Sequence, residues 1–257
     1  MLSHIANYHS HVYLCGHAEG DVEDYLKEAE RTGLVEVGIS DHAPIPVAWT
    51  KDASYNRPYG AHNMTMDTFY NVYLPSLEQG IKDHPQLNVL KALESEYLPP
   101  YKEHYETLLS SLDYLVLGVH YFKMEDRVVD TYSALSDEEA LAYASAVEEA
   151  LDTHLFKVLA HPDLFMMKRV PSEEIFTNVK ERLVKACIKN NVYMEVNANG
   201  RGRYPYEAFF KGLEQSGVKF LVNSDAHKIE NMNGQNVREA LEFSERLHLP
   251  ISLKMEF

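Results

Sequence analysis

Cysteine is almost absent. Cys15 and Cys187 are the only two in 257 residues and lie far apart in the chain, which excludes a disulfide framework and any Cys-x-x-Cys metal site. A metal, if one is held, must therefore sit on histidine and carboxylate. Long apolar runs are missing as well: no window approaches eighteen consecutive apolar residues, and the chain opens without a basic segment leading into an apolar one. The expectation is a soluble, cytoplasmic chain with no membrane partner. Positive charge is scarce, with 24 Lys and Arg against 39 Asp and Glu and a formal net charge of −15. A nucleic-acid partner would need clustered basic residues to displace counterions, so none is expected. Most of the acidity reads as solvated helix faces, and small cations or metal-neutralised anions suit the remainder. Low-complexity tracts, interdomain linkers and short internal repeats are missing too. No serine or cysteine has the context of a catalytic nucleophile.

What is present is alternation. With 45% hydrophobic residues the chain can bury a substantial core, and one domain over 1–257 is expected. A short strand over 2–6 leads into Asn7-Tyr8-His9-Ser10-His11. Residues 21–31 place Val22, Tyr25, Leu26 and Ala29 at helical spacing, and Gly33 stops the helix. Strand 35–40 follows. Residues 43–65 carry Pro44, Pro46, Pro58 and Gly60, a long connection of the functional or mobile kind that reads as a candidate lid. The pattern continues with helix 66–82, strand 87–96, helix 101–112 and strand 114–120. Beyond a polar segment to about Ser133 come helix 136–153, strand 157–160, helix 172–190, strand 192–197, helix 206–216, strand 220–224 and helix 235–247. A closing strand is expected near Ile251. Alternating strands and helices imply an α/β fold with a parallel sheet, and about seven repeats favour closure into a barrel.

Function in such barrels gathers at the carboxyl ends of the strands, and this chain concentrates histidine there. His9 and His11 project to one side of an extended segment, about 7 Å apart at the ordinary rise, and can close on one ion. His42, Glu94, His120, His161, Asp225 and His227 each end or follow a strand, and His17 lies in the first loop. A lone histidine at a strand end is more often a hydrogen-bonding or capping residue. The repetition on six of about seven strands points instead to a metal centre, and it accounts for seven of the thirteen histidines. His4, His62, His84, His104, His154 and His248 lack that placement and stay unassigned. Glu96 shares a strand face with Glu94 and competes for its role. Asp41, Asp163 and Glu195 are candidates for orienting the imidazoles.

The order His-x-His, His17, Ser-Asp-His42, Leu-Glu94-Ser-Glu, Gly-Val-His120, Ala-His161-Pro and Asn-Ser-Asp225-Ala-His227 resembles the polymerase and histidinol phosphatase (PHP) family. The resemblance runs from about residue 7 to 245. Within that family, Cys15-Gly-His17-Ala-Glu-Gly and the chain length resemble the monofunctional histidinol-phosphate phosphatases. The resemblance implies one PHP domain, a distorted (β/α)7 barrel and three divalent metal ions. It implies His9, His11, Glu94 and Asp225 at one ion, Glu94, His120 and His161 at a second, and His17, His42 and His227 at the third. It also implies the substrate, L-histidinol phosphate, and a place in histidine biosynthesis. Asn7 stands where the family usually has Asp, and Ala92 where it usually has Gly.

The residue types carry the chemistry independently. A phosphate monoester resists hydrolysis because an anionic nucleophile must approach a dianion. Clustered divalent ions neutralise that charge and supply hydroxide near neutral pH, so a metal-bridging hydroxide is the expected nucleophile. Imidazole and carboxylate suit Zn, Fe and Mn alike. The leaving alkoxide needs a proton, for which Asp225 beside His227 is the candidate. Planar donors for the remaining phosphate oxygens are sought in Arg169 and in Arg201 or Arg203, all in loops at the barrel mouth. The alternatives are a PHP phosphoesterase acting on another small phosphate ester, an amidohydrolase-type binuclear hydrolase, and a non-catalytic metal-binding module. The second commonly uses a strand-end lysine, whereas Lys91 is internal to its strand.

Overall fold

The computed structural model describes residues 4–46, 64–99, 101–125, 127–199 and 206–257. Most of the candidate lid, His62, Arg201 and Arg203 lie outside these residues. Seven strands form one parallel sheet: β1 (Ala6–Asn7), β2 (Glu36–Ile39), β3 (Asn88–Ser95), β4 (Tyr114–Leu117), β7 (Phe156–Leu159), β8 (Tyr193–Asn197) and β9 (Phe220–Asn223), in that spatial order. The two edge strands approach each other at a single bridge, Ser10 to Ala226, where His11 N–H donates to Ala226 O at 2.9 Å. The sheet is thus a nearly closed barrel, as the repeat count predicts. β1 is only two residues long because the chain leaves the ladder at Tyr8, whose N–H donates to the Asn223 side chain instead.

Helices α1 (Val22–Thr32), α3 (Leu74–Asp83), α4 (Lys102–Leu109), α5 (Asp137–Leu151), α6 (Glu173–Asn190) and α8 (Gln235–Arg246) cover the outside, with the short α2 (Met66–Thr68) and α7 (Glu207–Phe210). Their starts follow local chemistry: Asp21 with Asp24, and Ser136 with Glu139, form reciprocal capping boxes. Between α2 and α3 the helix widens to a π turn over Phe69–Tyr73. Pro75 cannot donate to the preceding turn, and Leu74 N–H reaches back five residues to Phe69 O. The wider turn buries both Phe69 and Tyr73. Tyr73 Oη then accepts Asp41 N–H and lies 2.8 and 2.9 Å from the carbonyls of Ile39 and Ala92, where β2 and β3 splay apart.

Inside the barrel Tyr8, Ala92, Tyr114, Val116, Val158, Ala160, Tyr193, Leu221 and Met255 pack together. Tyr114 Oη donates to Tyr8 O and passes so close to Gly38 that any β-carbon there would collide with it. The C-terminal segment plugs the amino end, with Met255 N–H donating to Tyr8 Oη and Glu256 N–H to Tyr193 Oη. The carboxyl end is left for the site.

Three expectations are corrected. Residues 121–133 are not simply a polar connection: β5 (Tyr121–Met124) and β6 (Arg127–Asp130) pair antiparallel, with Phe122 opposite Val129 and both buried. The helix expected over 206–216 ends after Phe210, because Lys211 is extended and Gly212 adopts φ +82°. Ile251 makes only an isolated parallel bridge to Phe220 and lies outside the closure between β1 and β9.

Candidate metal centre

The strand ends bring all nine sequence-predicted ligands together. Glu94, at the end of β3, stands at the centre and is buried. Its Oε1 lies 2.9, 3.4 and 3.5 Å from Nε2 of His161, His9 and His120. Its Oε2 lies 3.1 Å from His42 Nδ1 and 3.5 Å from His11 Nε2. Gly118 makes room for it: a β-carbon there would sit 2.3 Å from Glu94 Oε1. Asp225 Oδ1 faces His11 Nε2 at 3.1 Å and His9 Nε2 at 3.5 Å. His161 and Asp225 both hold left-handed backbone, at φ +28° and +46°. Such strain in non-glycine residues persists where surrounding structure enforces it, typically at sites.

The hydrogen bonds behind the imidazoles fix which nitrogen faces inward. His9 donates Nδ1–H to Glu195 Oε1 at 2.8 Å, and His120 donates Nδ1–H to Glu96 Oε1 at 2.7 Å. His17 and His227 donate Nδ1–H to the carbonyls of Cys15 and Asp225, at 3.2 and 3.0 Å. In the neutral forms of these four rings Nε2 is then a bare lone pair. These lone pairs point at other nitrogens: His9 to His11 at 3.1 Å, His120 to His161 at 3.2 Å, His227 to His17 at 2.9 Å. Two nitrogens on one tetrahedral zinc stand about 3.3 Å apart. The donor set therefore fits divalent ions. The compact donor groups His9–His11–Asp225, His42–Glu94–His120 and His11–His42–His227 agree.

The electrostatics say the same. Burial would raise the Glu94 carboxyl, but His120, His9 and His42 outweigh it and hold it well below the usual range. Asp225 is likewise held low against burial by His9, His11 and His227. Burial opposes charge on His11 and His120, yet Asp225 and Asp41 around the first, and Glu94 and Glu96 around the second, lift each to about 9. His227 goes the other way, pushed down to about 3 by burial and by His11. Buried carboxylates in this number need compensating positive charge, supplied by protons in the metal-free state or by cations.

The two glutamates differ in position. Glu94 is surrounded by imidazoles, whereas Glu96 lies behind His120 and accepts its Nδ1–H and its backbone N–H. Glu195 orients His9, and Asp41 Oδ1 stands 3.4 Å from His11 Nδ1. Asp163 accepts Tyr206 N–H, and no imidazole bond to it is seen among the described residues. Asn7 accepts Ser224 N–H and donates to His9 O, so an amide is used on both sides where the family usually has Asp. Arg169 donates to Leu135 O and pairs with Asp137 at 2.7 Å. Sequence reasoning missed Asn197 and Asn199, both within 3.1 Å of Asp225 Oδ2, and Tyr132, stacked on His120 at 5.6 Å. Asn197-Ala-Asn199, at the end of a strand, reads as turn chemistry, which hides the pair.

Among the described residues, the unassigned histidines have structural work. His104 bonds Pro44 O, His84 bridges Glu23 and Glu30, and His154 and His248 take left-handed positions just beyond helices.

No curated protein matches the sequence. Among solved structures, a candidate histidinol phosphatase, HisK from Listeria monocytogenes, superposes with a TM-score of 0.75 at 18% identity, covering 88% of this chain and 97% of that one. The histidinol phosphate phosphatase HisK from Lactococcus lactis, complexed with Zn, L-histidinol and phosphate, gives 0.70 at 13% identity, covering 99% of both. At these identities the likeness establishes the fold. Among the described residues no helix is long and apolar enough to cross a membrane. The model of the PHP domain matches residues 7–199, most of the chain, and the protein therefore belongs to the PHP family.

Proposed function

We propose that this protein is a metal-dependent phosphatase that hydrolyses L-histidinol phosphate to L-histidinol and phosphate, a phosphoric monoester hydrolase of histidine biosynthesis. The observation that carries the hydrolase reading is the set of Nε2 atoms that face one another beside Glu94 and Asp225. The substrate rests on the family and on the Lactococcus structure of the same fold, which holds Zn, L-histidinol and phosphate.

In this reading the chain holds three divalent ions, Zn, Fe or Mn, on His9, His11, His17, His42, Glu94, His120, His161, Asp225 and His227. Bound ions would neutralise the phosphate dianion and generate a nucleophile from water near neutral pH. Glu94 offers one oxygen to each of two neighbouring positions, and Glu96 and Glu195 keep His120 and His9 turned inward. His227, neutral and half-buried, completes the outer position with His17. For the leaving alkoxide the proposal keeps Asp225 and His227 as the nearest groups. The two amides on Asp225 Oδ2 favour its ligand role over proton handling. Phosphate-oxygen donors are taken from Arg169, Arg201 and Arg203.

The test is a panel of phosphate esters, with released phosphate measured on metal-loaded protein. Histidinol phosphate should give the highest kcat/KM. A sugar phosphate or nucleotide turned over faster would keep the chemistry and replace the substrate.

A further inference from the structure

We infer that Asn199 is a positioning residue that makes Asp225 a one-oxygen metal ligand. The inference rests on the metal-site reading above and is independent of the substrate. A carboxylate oxygen has two lone-pair directions, and at Asp225 Oδ2 both are taken: Asn197 Nδ2 and Asn199 Nδ2 each donate to it at 3.1 Å. Oδ1 alone remains open, and it faces His11, His9 and His227 at 3.1, 3.5 and 3.6 Å. Without the amides the carboxylate could rotate and offer both oxygens to one ion, or swing off the cluster.

The two asparagines divide the task. Asn197 also donates to Glu195 Oε2 at 2.8 Å, and Glu195 further accepts from His9 Nδ1, Asn223 Nδ2 and His161 N–H. Changing Asn197 would therefore disturb the supports of two other ligands. Among the described residues the Asn199 side chain has a single hydrogen-bond partner, Asp225, and its own backbone N–H is fixed by Asn197 Oδ1 at 2.7 Å. It is half-buried at the rim rather than in the core. Asn199 is thus the residue through which the orientation of Asp225 can be altered with the least effect elsewhere. The backbone of Asp225, at φ +46°, aims the side chain into this clamp.

The experiment titrates chelator-stripped full-length protein with Zn2+ against a chromophoric competitor, for wild type, Asn199→Ala, Asn199→Leu, Asp225→Ala and Asn199→Ala in the Asp225→Ala background. Both single Asn199 variants should weaken one ion of the complement by roughly ten- to a hundredfold, the usual effect of removing a partner that orients a ligand. Raising Zn2+ should restore kcat, with KM little changed. In the Asp225→Ala background the added Asn199→Ala should leave the remaining ions unchanged, because the acceptor of the Asn199 amide is gone. The inference is overturned if the Asn199 variants bind Zn2+ within twofold of wild type, or if Asn199→Ala weakens the remaining ions equally when Asp225 is already replaced. Wild-type protein that takes up no Zn2+ would overturn the metal reading, and this inference with it.

Discussion

At the scale of single residues, charge and geometry assign different work to two carboxylates of the same strand. Glu94 touches five imidazoles, whereas Glu96 serves one. Glu94→Gln is expected to lower both metal content and activity by orders of magnitude, because an amide cannot offer an anionic oxygen to two ions. Glu96→Gln should cost roughly ten- to a hundredfold through His120. Metal analysis and phosphate release on both variants check this, and a reversed order would move the bridging role to Glu96. Arg169 gives a second test. To reach a phosphate its guanidinium must exchange Asp137 for the dianion. The proposal predicts that Arg169→Ala lowers kcat/KM similarly for histidinol phosphate and an aryl phosphate, with metal content unchanged. A loss of stability alone would instead make Arg169 a tie between the loop after β7 and the start of α5.

At the scale of elements, α1 and α3 are joined by His84, whose two ring nitrogens each lie 3.0 Å from a carboxylate of α1, Glu23 and Glu30. Burial lowers the His84 pKa, but the two glutamates outweigh it and the net shift is upward; His84 in turn lowers Glu23. The histidine contribution is complete below its unfolded pKa and lost as pH rises through the raised folded value. The Glu23 contribution is complete above its unfolded pKa and lost as pH falls through the lowered one. Because both carboxylates are partly exposed, the link is worth about 0.5–1 kcal/mol. His84→Gln should therefore lower the urea midpoint near about pH 6 and have little effect near about pH 9. Equal losses at both would refute the ionic account.

The elements that the sequence makes legible are those with one dominant signal. Helix α1 shows its cap, its apolar stripe and its stop, and strand β4 is a plain apolar run. The β5–β6 hairpin is hidden because Lys123, Glu125 and Arg127 break the apolar alternation around Phe122 and Val129. The π turn at Phe69–Tyr73 keeps a helical composition and differs only in which rows it buries. In the site, the candidate ligands stand out because histidine is repeated at strand ends. Their supports do not, since Gly118, Asn197 and Asn199 matter through space left empty and through contacts with residues distant in sequence.

For the whole molecule, seven strands deliver their ends to one mouth while the C-terminal segment closes the other. The buried carboxylates and imidazoles at the mouth form one contiguous cluster, so metal loading should govern activity as a unit. The most direct measurement follows phosphate release from L-histidinol phosphate by chelator-stripped protein as Zn2+, Mn2+ or Fe2+ is returned, with bound metal counted on the same samples. Stripped protein should be inactive, activity should return as ions bind, and saturation should come near three per chain. Phosphate release that persists after stripping, no release by fully loaded protein, or saturation at one ion would contradict the account.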